Sequence, residues 1–124
     1  MPAQKPQDLH SLFASALNSG DLNNLVGLYE PTATLVPQPG QVATGTAAIR
    51  QALQAFVAMK PTIHIETKFV LETGDLALLR GKWILDAKGP DGKPMQMTGN
   101  STEVVRRQRD GSWLYLIDHP YGAD

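Results

Sequence analysis

Residues 63–72 read IHIETKFVLE, and apolar side chains alternate with polar ones along this stretch. A period of two is typical of a strand with one buried side and one solvent-facing side. We expect the odd-numbered residues, from Ile63 to Leu71, to face the interior. After a turn at residues 73–75, the odd-numbered residues of 76–85 form a second apolar side. The two stretches therefore predict a hairpin of antiparallel strands.

Two further strands are predicted downstream of this hairpin. Residues 89–94, GPDGKP, are dense in turn-forming residues, and a long strand follows over residues 95–108. Residues 109–112, RDGS, form another turn before a last strand at 113–119. The second half of the chain is thus predicted to be a four-stranded antiparallel meander.

The first half of the chain is predicted to be mainly helical. Residues 7–18 place apolar side chains at helical spacing, and Asp21 is a good N-cap for a second helix that ends at Pro31. A short strand is predicted over 33–36, and a third helix over about 46–59. Three helices packed on one face of an antiparallel sheet define an α+β fold.

The composition limits the classes of function. The 124 residues form one domain by length, with residues 1–6 expected to be a loose N-terminal tail. There is no cysteine, which excludes disulfides and thiolate metal ligands, and the net charge of −1 predicts no binding to nucleic acid or to an anionic membrane. No targeting or membrane-spanning segment is visible, so a cytoplasmic location is expected. The three histidines are widely spaced, so no metal site is expected, and no cofactor is predicted either.

His119 is the candidate for acid–base chemistry. On the predicted last strand it shares one side with Trp113, Tyr115 and Ile117, and an imidazole that faces an apolar cavity is suited to proton transfer near neutral pH. The neighbouring Asp118 is expected to point to the opposite side of the strand. An alternative is that His119 only orders the C-terminal segment by hydrogen bonding to the backbone.

Five other residues are candidates for ligand contacts. They combine aromatic surface with hydrogen-bonding groups, and they are Tyr29, Trp83, Asn100, Thr102 and Tyr115. Asn100 and Thr102 share a strand side with the apolar Val104, which indicates either donors that orient a ligand or ordinary polar residues on a solvated edge. The hydroxyl groups of the two tyrosines need partners if they are buried.

Three titratable residues are expected to lie on the surface. Glu103 would pair with Arg80 or Lys82 on the neighbouring strand, an ion pair of small value. His10 lies off the apolar side of the first helix, and His64 lies on the polar side of its strand. Neither histidine is expected to take part in a functional site.

Five short motifs follow one another in a characteristic order along the chain. They are NSGDL at 18–22, GTAAIR at 45–50, DGKP at 91–94, TEVVRR at 102–107 after Gly99, and DGSW at 110–113 leading into DHP at 118–120. In this order and spacing, from about residue 8 to residue 120, the chain resembles the SnoaL-like branch of the nuclear transport factor 2-like (NTF2-like) superfamily.

The resemblance implies a cone, in which a curved sheet wraps around the three helices and encloses a deep apolar pocket. Members are commonly dimers, and they include ketosteroid isomerase-like enzymes, polyketide cyclases, dehydratases, epoxide hydrolases and non-enzymatic modules. The expected partner is a small apolar ligand. The expected activity is isomerase-, cyclase- or dehydratase-type acid–base chemistry on a hydrophobic carbonyl or hydroxyl compound. A non-catalytic ligand-binding or dimerisation module is the alternative, because one fold can host both.

The matched positions argue against one activity of the family, ketosteroid isomerisation. In the resembling enzymes the base follows the first strand, at the position of Pro37, and a tyrosine that stabilises the enolate occupies the position of Phe13. A protonated carboxylic acid corresponds to a position near Thr102, with Glu103 one residue away on the opposite side of the strand. The matched residues lack these groups, so steroid isomerisation at the background rate is expected.

The apolar residues of the strands also predict a homodimer. Leu114 and Leu116 give the last strand a second apolar side, and a strand that is apolar on both sides usually contributes to an interface. Leu76, Leu78 and Ile84 repeat this pattern on an earlier strand. The predicted interface is therefore the outer side of the sheet.

Overall fold

The computed structural model describes residues 2–124, which contain three helices and six strands. The helices are α1 (Asp8–Asn18), α2 (Leu22–Val26) and α3 (Thr46–Ala58). The strands are β1 (Tyr29–Leu35), β2 (Ala43–Thr44), β3 (Thr62–Thr73), β4 (Leu76–Lys88), β5 (Pro94–Arg107) and β6 (Trp113–His119). The predicted α+β fold is confirmed.

The six strands form one curved, open sheet in the order β2-β1-β6-β5-β4-β3. Strands β3 to β6 are antiparallel neighbours, which confirms the predicted meander. Strand β1 pairs in parallel with β6 and antiparallel with β2. Helix α1 contacts β3 and β6, and α3 contacts β1 and β2, so the helices cover the inner side of the sheet. None of the helices within residues 2–124 is long and apolar enough to cross a membrane.

The second helix is shorter than predicted, because the chain becomes a strand soon after it. Asp21 is the N-cap as expected, since its side chain accepts a hydrogen bond from the N–H of Asn24. Tyr29 is already the first residue of β1, and Pro31 lies where the pairing of β1 with β6 is interrupted, between Tyr29 and Thr34. Proline is tolerated at such an irregularity because it has no N–H to donate to the ladder. The expectation that Pro31 ends a helix is therefore wrong.

Two β-bulges change which residues face the helices. In β3 the pairing with β4 shifts between Thr67 and Phe69, and in β6 the pairing with β5 shifts between Tyr115 and Ile117. Each bulge inserts one residue, so the alternation of inner and outer side chains is reversed beyond it. Phe69, Leu71 and Ile117 are consequently exposed on the outer side of the sheet, and the expectation that they face the interior is wrong.

The core lies between the helices and the inner side of the sheet. It contains Leu9 and Leu17 of α1, Ile49 and Leu53 of α3, and inward strand residues such as Leu79. These apolar side chains recur at helical spacing on α1 and α3, which is why each helix buries one face.

The N-terminal segment packs against this core. Ala3 is buried, and its carbonyl oxygen accepts a hydrogen bond from the N–H of Trp113 at the start of β6. Pro6 is also buried, and the carboxylate of Asp8 accepts hydrogen bonds from two N–H groups of the segment. Residues 3–6 are thus held in place instead of forming the expected loose tail, while Met1 lies outside the described residues.

Candidate active-site cavity

A cavity opens between the helices and the inner side of the sheet. The space within it that the centre of a water molecule can occupy measures about 60 Å³, and most of its wall is apolar. The wall consists of Phe13, Leu17, Leu35, Pro37, Leu53, Phe56, Ile63, Ile65, Trp83, Leu85, Ser101, Glu103, Tyr115, Asp118, Pro120 and Tyr121. A concave, mainly apolar site with a few polar groups is typical of small-molecule binding.

Two carboxyl groups face this cavity from adjacent strands. Glu103 of β5 and Asp118 of β6 are directly paired in the sheet, and both line the cavity. Their exposures are only 4% for Glu103 and 5% for Asp118. Asp118 faces inward because the bulge at Leu116 reverses the alternation of β6. The cavity therefore holds a close pair of acidic groups in an apolar setting.

Asp118 has one oxygen held by the protein and one left free. The hydroxyl of Tyr29 donates to its Oδ2 at 2.5 Å, and Oδ1 accepts no hydrogen bond within residues 2–124. Burial, and then the nearby charge of Glu103, raise the pKa of Asp118 from 3.8 to about 7, while the Tyr29 hydrogen bond opposes the rise. A carboxyl group with a pKa near neutrality can both donate and accept a proton.

Two tyrosines pack beside this carboxyl group. The ring centroids of Tyr29 and Tyr115 are 5.0 Å apart, and Phe13 meets Tyr115 edge-on at 6.4 Å. Burial raises the pKa of both phenols well above their ordinary range, so both remain hydrogen-bond donors at neutral pH. Unlike the Tyr29 hydroxyl, the Tyr115 hydroxyl has no partner in the part of the chain that the structure describes. It is available to a ligand.

Glu103 is held by a histidine from α1. Nε2 of His10 lies 3.0 Å from Oε1 of Glu103, and Nδ1 lies 2.7 Å from Oγ1 of Thr67. His10 is 2% exposed. Gly81 leaves room for it, since a Cβ at Gly81 would lie 3.0 Å from Cε1 of the imidazole, closer than ordinary van der Waals contact. Helix α1 and strands β3 and β5 thus each contribute one side chain to a hydrogen-bond network beside the cavity.

Two expectations about this network are wrong. Glu103 does not pair with Arg80 or Lys82, because those side chains lie on the outer side of β4 while Glu103 faces inward. His10 does not lie on the surface, because α1 packs on β3 with this residue turned towards the sheet. His64 is exposed, as expected.

Trp83 connects the cavity wall to the C-terminal segment. Its indole Nε1 donates to the carbonyl oxygen of Pro120 at 2.7 Å, and its ring meets Tyr121 edge-on with centroids 5.5 Å apart. The indole also lies against Gly99, where a Cβ would be 2.7 Å from three ring atoms. A side chain at position 99 would therefore displace the indole and, with it, this part of the wall.

Three of the predicted ligand-contact residues come together at the cavity. Trp83 and Tyr115 line it, and Tyr29 reaches it through the hydrogen bond to Asp118. The three aromatic side chains come from β4, β6 and β1, so only the folded sheet brings them close.

The other three, Asn100, Thr102 and His119, lie on the outer side of the sheet. Asn100 donates hydrogen bonds to the side chain of the last residue, and Thr102 is paired with His119 across β5 and β6. Thr102 and His119 both pack under Gly122. Nδ1 of His119 is buried without a hydrogen-bond partner within residues 2–124. The expectation that His119 projects into the cavity is wrong, because the bulge in β6 turns Asp118 inward instead.

The positions matched to ketosteroid isomerases are partly as expected. Phe13 and Pro37 line the cavity, and neither side chain can exchange a proton. Thr102 faces outward and Glu103 faces inward. The expectation that Glu103 points away from the cavity is therefore wrong. The cavity therefore keeps carboxyl groups in an arrangement that differs from the steroid isomerase pattern.

Sequence reasoning missed the three residues that form the polar part of the site, which are His10, Glu103 and Asp118. The available signal was an acidic residue inside each of two apolar strands, in TEVV at 102–105 and after LYLI at 114–117. Charged residues are rare in such strands unless they are paired or functional. The side of the strand that each residue occupies was not recoverable from this signal.

The cavity offers no cationic group to a ligand. No lysine or arginine side chain lines it within residues 2–124, and its polar lining is dominated by the two carboxyl groups. In the same part of the chain, no group of three or more histidine, aspartate or glutamate side chains is arranged to hold a metal ion. The chemistry that these residues can perform themselves is proton transfer and hydrogen bonding.

Solved structures of low sequence identity share this fold. A ketosteroid isomerase-like protein from Erwinia carotovora atroseptica is 18% identical, with a TM-score of 0.80 over 91% of this chain and 89% of that chain. A provisionally named dehydratase of the NTF2-like family from Streptomyces avermitilis is 21% identical, with a TM-score of 0.77 over 94% of each chain. An NTF2-like protein with a cystatin-like fold from Novosphingobium aromaticivorans is 19% identical, with a TM-score of 0.77 over 94% of this chain and 79% of that chain. The chain therefore has the fold of these NTF2-like structures.

Within this class, the family can be stated. The family model of the SnoaL-like domain matches residues 10–116, which is most of the chain. The chain belongs to the SnoaL-like domain family. A search of curated proteins finds no match.

Proposed function

We propose that this protein is an acid–base enzyme that transfers a proton on a hydrophobic carbonyl or hydroxyl compound bound in the cavity. The observation that carries the proposal is the buried carboxyl group of Asp118, which faces the apolar cavity with a pKa raised to about 7. Perturbed carboxyl groups in clefts are characteristic of acid–base sites. The similarity to a ketosteroid isomerase-like protein and to a provisionally named dehydratase agrees with isomerase-, cyclase- or dehydratase-type chemistry.

The roles of individual residues follow from their free atoms. The carboxylate form of Asp118 takes a proton from the carbon next to a carbonyl group, and the Tyr115 hydroxyl donates a hydrogen bond to the carbonyl oxygen as it gains negative charge. Asp118 then returns the proton to another atom of the same compound, so the step needs no co-reactant. Tyr29 orients Asp118 through its hydrogen bond. Trp83 provides aromatic wall for the body of the ligand.

The cavity disfavours an anionic ligand. An anionic ligand would lose its hydration beside Glu103 and Asp118 without gaining a cationic partner, since no lysine or arginine lines the wall within residues 2–124. The apolar wall, which includes Phe13, Phe56 and Trp83, suits a flat hydrophobic body. The proposed ligand is therefore an apolar compound without negative charge that carries a carbonyl or hydroxyl group.

Methyl naphthyl ketone and naphthoate form a matched pair of probes for this proposal, since they share a body and differ in head-group charge. We expect the ketone to bind about tenfold more tightly than the anion, or better, in a calorimetric titration near neutral pH. In deuterium oxide, the protein should also speed the exchange of the ketone's methyl hydrogens for deuterium, followed by NMR. This exchange requires proton removal next to the carbonyl group and nothing else.

Two variants show whether the exchange depends on the proposed group. Asp118→Asn should reduce the catalysed exchange to the buffer rate, whereas Asp86→Asn, which neutralises an exposed carboxylate on the outer side of β4, should retain it. Ketone binding without catalysed exchange would contradict the enzymatic proposal and support the alternative, a non-catalytic binding module. Exchange that survives in Asp118→Asn would assign the base to another residue.

We further propose a homodimer formed through the outer side of the sheet. Leu71, Leu78, Val104 and Ile117 are directly paired across β3, β4, β5 and β6, and we call these four residues the outer apolar row. Leu71 is 58% exposed and Ile117 is 44% exposed. Contiguous exposed apolar surface of this kind is typical of interfaces, and a twofold axis would cover the row with its own copy.

The outer apolar row only partly coincides with the leucines expected from the sequence. Arg106 lies two residues after Val104, on the same outer side of β5. Leu76 and Leu114 are both paired with Arg106, so they flank the row. Leu116 is the residue inserted by the bulge, and Ile84 lies further along β4, away from the row.

The cytoplasmic location expected from the sequence remains a proposal that cell fractionation can test.

A further inference from the structure

The cavity extends along strands β4 and β5, with its carboxyl groups at one end. On the inner side of the sheet, Leu79 is paired with Glu103 and Trp83 is paired with Gly99. Trp83 thus lies four residues beyond the level of Glu103, from residue 79 to residue 83, which is about 13 Å at roughly 3.3 Å per residue. Both Glu103 and Trp83 line the cavity. A ligand with its carbonyl or hydroxyl group beside Asp118 therefore points its other end towards Trp83.

Tyr121 forms the wall at this second end of the cavity. Its ring meets the indole of Trp83 edge-on, with centroids 5.5 Å apart, and both side chains line the cavity. Tyr121 is partly exposed, whereas Glu103 and Asp118 at the first end are buried. The Tyr121 ring therefore lies between the cavity and the solvent, at the end away from the carboxyl groups.

We propose that Tyr121 limits the length of the ligand that the cavity accepts. A compound whose polar head lies beside Asp118 has to end before the Tyr121 ring, so short compounds are accepted and compounds extended away from the head are excluded. Tyr121 is thus a residue that determines specificity. The inference deepens the proposed function and rests on it for the position of the head group, but the length limit itself can be tested with compounds that undergo no reaction.

The small size of the cavity supports such a limit. The space that the centre of a water molecule can occupy is about 60 Å³, and one water needs about 10–15 Å³ of such space, so a few waters fill the cavity. The side walls include Leu53, Ile63 and Leu85, which are buried in the close-packed core. A longer ligand therefore cannot be accommodated sideways and has to extend past the Tyr121 ring.

The backbone on both sides of Tyr121 is held by hydrogen bonds. The carbonyl oxygen of Pro120 accepts from Nε1 of Trp83 at 2.7 Å, and the N–H of Ala123 donates to the carbonyl oxygen of Asn100 at 2.9 Å. A ring on an anchored backbone resists displacement by a ligand. Because neither contact involves the side chain of Tyr121, a substitution at this position should shorten the wall and leave the segment in place.

Methyl phenyl ketone and its para-butyl derivative test the length limit, since the butyl chain extends the compound directly away from the carbonyl group. In a calorimetric titration, the unmodified protein should bind the para-butyl ketone about tenfold less tightly than the parent ketone. Tyr121→Ala opens the end of the cavity to the apolar chain, so it should bind the para-butyl ketone at least as tightly as the parent. Tyr121→Phe, which keeps the ring, is the matched control and should retain the original preference.

Tyr121→Leu provides a second variant if Tyr121→Ala does not fold, and it should shift the preference in the same direction. Toluene and para-butyltoluene lack the carbonyl group, so they test the length limit without the proposed chemistry, and the same shift is expected. A preference within about threefold of the original in the folded variants, for the ketones and the toluenes alike, would overturn the length limit, as would the absence of binding by all four compounds. The proposed function fails separately, if bound methyl phenyl ketone shows no catalysed hydrogen exchange while the preference shifts as expected.

Discussion

Replacement of Asp118 by asparagine is expected to make the protein more stable at alkaline pH while removing its proposed activity. The pKa of Asp118 is raised to about 7 in the folded protein, from 3.8 as the ordinary value. Between these two values the folded state binds a proton that the unfolded state lacks, so the free energy of unfolding falls as the pH rises. A difference of about three pH units corresponds to roughly 4 kcal/mol as an upper bound.

The variant isolates this contribution, because asparagine is neutral at every pH and can still accept the hydrogen bond of Tyr29. We expect Asp118→Asn to raise the free energy of unfolding by about 2–4 kcal/mol near pH 8 and to change it little near pH 4. Urea unfolding of both proteins across this range, followed by circular dichroism, measures the difference. Asp86→Asn, which alters an exposed carboxylate, should show no such trend. A difference between Asp118→Asn and the unmodified protein that does not vary with pH would contradict a raised pKa.

The strands and helices could be predicted from the sequence because their apolar periodicity is clear. The ends of β3, β4, β5 and β6 lie within a few residues of the predicted bounds. The β1 strand was missed at its start, because its parallel pairing with β6 joins distant parts of the chain and leaves no local pattern. Tyr29 and Pro31 read locally as the end of a helix.

The side that each residue faces was harder to predict. A bulge moves every following side chain to the other side of the sheet, and Leu116, the inserted residue of β6, is an ordinary strand residue. That one residue exchanges the roles expected for Asp118 and His119. The expected proton-transfer residue, His119, thus lies one residue away from Asp118, the carboxyl group that faces the cavity.

The error at Glu103 has a different origin. Polar residues normally mark the solvent side of a strand, but in β5 the inner side carries Ser101 and Glu103 while the outer side carries Val104. At this one point of β5 the apolar Val104 lies on the outer side and the acidic Glu103 on the inner side, which locally reverses the usual pattern. The inward Glu103 lies at the proposed cavity site, and the outward Val104 lies in the proposed dimer surface.

Replacement of Leu78 by lysine is expected to separate the proposed dimer into monomers. Leu78 lies in the middle of the outer apolar row, between Leu71 and Val104, so in a twofold dimer the row would bury it in both copies. Two buried ammonium groups near one axis would lose hydration and repel each other. We expect the dissociation constant to rise by about a hundredfold or more, measured by sedimentation equilibrium.

Ile84→Lys is the matched control for this prediction. Ile84 is an outward apolar residue of the same strand, but its partners across the sheet are His64 and Thr98, so it lies outside the row. The substitution should leave the dissociation constant within about threefold of the original, since the same charge is added away from the interface. Because Leu78 points away from the core, both variants should retain the circular dichroism of the folded protein. A monomeric unmodified protein at micromolar concentration, or equal dissociation by Ile84→Lys, would rule out the outer apolar row as the interface.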